Sequence, residues 1–138
     1  MFANRPKIEF ESKKTLKQKL SGFFNQEFWR SALVQWILIG TLFLDAASWA
    51  VVIYYIRPVD LPIVIHYNVY LGVDVIGDWW QVYFLPIISN MFLIVNTILA
   101  HAFYQKKERL AGYIFLLASF FVQVGVLVAI SGLMMINY

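Results

Sequence analysis

Beyond Ser31 the chain is a succession of long apolar runs separated by short polar breaks. Three runs reach membrane-spanning length, at 31–56, 79–104 and 111–136. Each holds about 26 residues, or roughly 39 Å of helix at 1.5 Å per residue. A hydrocarbon core of about 30 Å leaves a turn at each end in the headgroup layer, or some tilt. Trp29, Tyr54, Tyr55, Trp79, Trp80, Tyr104, Tyr113 and Tyr138 stand where those ends should fall, as interfacial aromatics do. Helices are expected rather than strands, because only a helix satisfies its backbone polar groups within one segment. The pattern predicts an all-α membrane protein with three transmembrane helices.

The connection between the first two runs has another rhythm. From Ile63 to Val75 every odd-numbered residue is apolar, while the even set includes His66, Asn68, Gly72 and Asp74. Period two predicts extended backbone, a short β-like cap over 57–78 with the His66, Asn68 and Asp74 face toward water. Pro58 and Pro62 stop the preceding helix. Gly72 provides for a turn, and Asp78 is expected to N-cap the second helix through its carboxylate. The segment before the first run, 13–30, places Leu16, Leu20, Phe23 or Phe24, and Phe28 near one helical face among lysines. That predicts an amphipathic helix lying on an anionic lipid surface, so 1–30 reads as tail and interfacial helix and 31–138 as the membrane domain.

Composition agrees with that division. Apolar residues make up 61% of the 138 and charged residues 14%, against about a quarter charged in soluble domains. The net charge of +3 does not indicate nucleic acid, because the basic residues flank apolar runs. The arm carries Arg5, Lys7, Lys13, Lys14, Lys17, Lys19 and Arg30, and the second connection carries Lys106, Lys107 and Arg109. The first connection sets Arg57 against Asp60, Asp74 and Asp78. The positive-inside rule then puts the N-terminus in the cytoplasm and the 57–78 cap and the C-terminus outside it. The first apolar run is too long and starts too late for a cleavable signal peptide, so it reads as an anchor. Without cysteine there is no disulfide, thiol nucleophile or Cys-ligated metal.

Leu61, Pro62, His66, Tyr67, Asn68, Gly72, Asp74 and Gly77, with Pro86 early in the next run, also carry a likeness. They resemble the short motif of the domain-of-unknown-function family whose members include SdpI-type immunity proteins. The resemblance implies a bacterial cytoplasmic-membrane protein, with immunity to a secreted toxin as one possible task.

The polar residues within the runs narrow the chemistry. Asp45, Asn90 and Gln123 fall at nearly the same depth in the three runs, with Ser48, Ser89 and Ser119 close by. Such a cluster is either interhelical hydrogen-bonded glue or a proton or ion relay. Gly125, Ala129 and Gly132 allow close helix approach, within the chain or between copies. His66 with Asp74 and Asp78 is expected to lock the cap or to contact an external ligand; a lone histidine without HxH or HExxH spacing does not predict a metal. No Gly-rich phosphate loop, serine elbow or paired carboxylates are present, so neither catalysis nor a cofactor is expected. Two functions remain: an interaction protein, as an accessory subunit or external ligand or toxin binder, or a small proton- or ion-coupled transporter centred on Asp45. The expected partners are the bilayer and either further copies or another membrane protein.

Overall fold

The computed structural model describes residues 27–138. The amphipathic helix expected over 13–30 therefore lies outside the described residues, apart from its last turn, α1 (Glu27–Arg30). After it come α2 (Ala32–Tyr55), β1 (Ile63–Asn68), β2 (Gly72–Gly77), a 3-10 turn (Trp79–Tyr83), α3 (Phe84–Gln105) and α4 (Arg109–Asn137). Among the described residues three helical segments, the second including the 3-10 turn, are long and apolar enough to cross a membrane.

The second span differs from a single straight helix for a local reason. Pro86 lacks an N–H, and its ring would collide with the carbonyl four residues earlier, that of Val82. Residues 79–83 wind as 3-10 instead, and regular α-helix starts at Phe84, which leaves Pro86 in the first turn, where it is tolerated.

α4 packs along both other spans, while α2 and α3 meet only sparsely. Two apolar clusters hold the bundle. At the hairpin end Val52, Ile56, Ile63, Val82, Ile130, Leu133 and Met134 pack together. At the opposite end, beside the 105–109 turn, Phe28, Val34, Ala100, Tyr104 and Leu116 do the same. The layer between them is polar: Thr41, Asp45, Ser48, Ser89, Ser119 and Gln123 are all buried. The outward faces are strongly apolar, with Trp36, Phe43, Phe121 and Met135 each more than two-thirds exposed. Polar groups inside and apolar side chains outside are the arrangement that a lipid solvent selects.

Close helix approach occurs at glycines other than those the sequence suggests. A Cβ on Gly112 would stand 3.0 Å from the Ala100 carbonyl oxygen, and one on Gly40 would stand 3.3 Å from the Phe120 ring. A Cβ on Gly125 or Gly132 would meet nothing, and Ala129 is exposed. The Gly125–Ala129–Gly132 stripe is thus not an intrachain contact: α4 turns that face outward.

Candidate functional site

The connection between α2 and the second span folds as an antiparallel hairpin. Its three-residue turn, Val69–Tyr70–Leu71, is closed on one side by Asn68, whose Oδ1 accepts the Tyr70 N–H at 2.9 Å. On the other side Gly72 adopts φ +82°, the left-handed conformation that such turns require and that glycine enters without strain. A bulge at Ile65 shifts the register between Val64 and His66. The strict alternation expected from the sequence breaks there. Ile63 and Ile65 reach the bundle core, but Tyr67, Val73 and Val75 remain about half exposed. A second slip beyond His66, at Asp74 on the other strand, restores the register by the Tyr67–Val73 pair, and past Ile65 the apolar odd face stays half exposed instead of lying on the bundle.

The hairpin is fastened at its base by Asn137. The Asn137 Oδ1 accepts the Val64 N–H at 2.8 Å, and its Nδ2 donates to the Val64 carbonyl at 2.9 Å and to the Leu133 carbonyl at 2.9 Å. One carboxamide at the end of α4 therefore closes both backbone groups of the residue beside the bulge. At the other strand's end a Cβ on Gly77 would push aside the end of the Gln81 side chain and press on Ile65.

His66 and Asp74 come together across the strands, with Nδ1 and Oδ2 3.3 Å apart. The pair is largely solvent-exposed, which limits it to about 1 kcal/mol or less. Asp78 stands apart from them. It occupies the N-cap position of the 3-10 turn, yet its carboxylate caps no amide and accepts from Trp80 Nε1 at 3.2 Å. The Gln81 N–H is held by the Asp78 carbonyl at 3.1 Å instead. No group of three or more His, Asp or Glu side chains among the described residues is placed to hold a metal. At the tip, Val69, Tyr70 and Leu71 are 82%, 95% and 78% exposed, an apolar group without cover on a fastened support.

In the polar layer the structure brings Asp45, Asn90 and Gln123 together, one from each span. Asn90 Nδ2 donates to Asp45 Oδ2 at 3.1 Å, and Gln123 Nε2 donates to Asp45 Oδ1 at 3.4 Å. The neighbouring hydroxyls do not join them directly. Thr41, Ser48 and Ser119 each donate to the carbonyl four residues back, at 2.7, 3.0 and 3.3 Å, and Ser89 to that of Pro86. Asn90 also lines a cleft of 460 Å³ that the splay of α2 from α3 leaves open, walled by Leu38, Leu42, Leu93, Ile94 and Ile98. Trp29 and His101 stack at its other end, with ring centroids 6.0 Å apart.

Sequence reasoning missed Asn137, which links positions 73 residues apart and stands in no pattern. It also missed the pair of Arg109 and Glu27, 2.7 Å apart, which ties α1 to the start of α4. No family model matches the chain, and no curated protein or solved structure matches it either.

Proposed function

We propose that this chain is a multi-pass membrane protein that acts by interaction, with the hairpin as its recognition element on the extracytoplasmic side. The observation that carries the reading is the tip: Val69, Tyr70 and Leu71 project almost fully exposed from a strand pair anchored by Asn137. An exposed tyrosine with flanking apolar side chains on a pre-organised support is the make-up of an interface anchor. His66 and Asp74, on the same strands, supply polar selectivity beside it. The occupant is a protein or peptide segment outside the cytoplasm. The motif around His66 and Asn68 adds a bacterial cytoplasmic-membrane setting and an immunity-like role to this reading. The outward Gly125–Ala129–Gly132 face is suited to a further copy or to a partner helix in the bilayer.

A photo-crosslinking side chain at position 70, introduced in native membranes, tests it. A discrete protein adduct is expected at 70 and absent from lipid-facing position 36. Tyr70→Ser with His66→Ala is expected to lower ligand capture by an order of magnitude at unchanged membrane yield. Adducts to lipid alone, or collapse of the yield, would make the hairpin a structural lid.

A second reading, a proton- or ion-coupled device, draws on the three-helix meeting at Asp45.

A further inference from the structure

Asp45 is the sole Asp, Glu, Lys or Arg within α2, and α3 has none. In α4 the sole one is Arg109, which lies roughly 21 Å along the helix from Gln123 at 1.5 Å per residue. A carboxylate at this depth is costly unless a positive charge or several donors meet it. Two neutral amides do so here, and among the described residues no basic side chain is near.

The surroundings are short of donors rather than acceptors. The Thr41, Ser48 and Ser119 hydroxyl protons are spent on their own helices' carbonyls, so each oxygen keeps free lone pairs. Ser48 lies three residues after Asp45, and Ser119 four before Gln123; those spacings share a helix face. Gln123 is fully buried, and its Oε1 accepts no hydrogen bond among the described residues. A buried amide oxygen without a donor is rare in a folded protein, and it needs a source of positive charge or a hydrogen-bond donor beside it. Excess acceptor oxygens around one formal negative charge match a monovalent cation. A divalent ion would call for more carboxylates.

We propose that Asp45 and Gln123, with the hydroxyl oxygens beside them, form an intramembrane site for one monovalent cation, either a proton or an alkali-metal ion. An alkali ion is held between the carboxylate and Gln123 Oε1. For a proton, a half-turn of the Gln123 amide brings Oε1 to face Asp45 Oδ1 and accept its O–H. Asn90 holds the second carboxylate oxygen and fixes the side chain in either case. The site is separate from the hairpin, so partner capture and cation binding succeed or fail independently.

The test uses the full chain in lipid nanodiscs. Thermal unfolding is followed in sodium against choline at constant ionic strength, and infrared difference spectra follow the carboxyl bands through pH steps. A ligand bound only by the folded state raises the midpoint until the site saturates. For an alkali ion, the midpoint rises with sodium in the native chain, by less than half as much in Gln123→Leu, and not at all in Asp45→Asn. For a proton, sodium has no effect, and a protonated-carboxyl stretch is present that disappears in Asp45→Asn and shifts in Gln123→Leu. An ionised carboxylate band indifferent to sodium and to pH overturns the proposal and leaves a bound water as the partner of Gln123. If Asp45→Asn does not fold, Gln123→Leu decides alone: an unchanged sodium response and an unchanged carboxyl band likewise overturn it.

Discussion

Gly112 and Gly125 lie on the same helix, yet only Gly112 has a neighbour that an added side chain would strike. Small residues in a membrane helix let backbones come close, and sequence spacing points to the Gly125–Ala129–Gly132 stripe. The structure puts the contact at Gly112, against the Ala100 carbonyl. Spacing identifies a face but not what it meets, because the rotation of α4 is set by its two neighbours together. Gly112→Val is therefore expected to destabilise the bundle by about 1–3 kcal/mol, the cost of overpacking. Gly125→Ala is expected to leave it unchanged or to gain some tenths of a kcal/mol from helix propensity. Denaturation of both variants in mild detergent checks the pair. Equal losses would mean that the outward stripe packs within the chain after all. Asp45, Asn90 and Gln123 were legible from their shared depth, since a buried carboxylate needs donors while a glycine face needs nothing.

At the level of elements the hairpin separates what a pattern reveals from what it hides. Period-two alternation marked extended backbone, and Gly72 marked the turn, because both are local properties of the chain. The slips in register at Ile65 and Asp74 were illegible, since nothing in an unbroken alternation marks them. Asp78 was assigned correctly to a helix start, but the 3-10 winding forced by Pro86 left its carboxylate to the Trp80 indole. The clamp yields a prediction. Asn137→Ala strands the partly buried Val64 N–H and carbonyl, at a cost of about 1–3 kcal/mol for the two together. Hydrogen exchange at Val64 and its strand neighbours should accelerate by roughly tenfold or more, with the α2 and α3 amides unaffected. Uniform acceleration through all three spans would show that the clamp supports the whole bundle rather than the hairpin alone.

At the scale of the whole molecule, charge and shape supply separate information. The apolar exterior and polar middle establish that the helices suit a bilayer, but they are indifferent to which end faces the cytoplasm. Arg30, Lys106, Lys107 and Arg109 gather at the turn end, whereas the hairpin end has Arg57 with Asp60, Asp74 and Asp78. Lys and Arg near span ends set orientation, while Asp and Glu contribute little. The balance is thus four basic residues against one, before the lysines of the arm are added. The prediction is a cytoplasmic 105–109 turn and an external hairpin. The chain has no cysteine, so Tyr70→Cys and Lys107→Cys each give a single thiol for an impermeant maleimide. Both positions are exposed, so neither substitution opens a cavity in the core. In intact cells or right-side-out vesicles, the thiol at 70 should label fully and the one at 107 only after permeabilisation. The reverse result would place the hairpin in the cytoplasm and remove the external partner. The Asp45 cluster would be untouched, because Asn90 and Gln123 meet that carboxylate whichever way the chain is threaded.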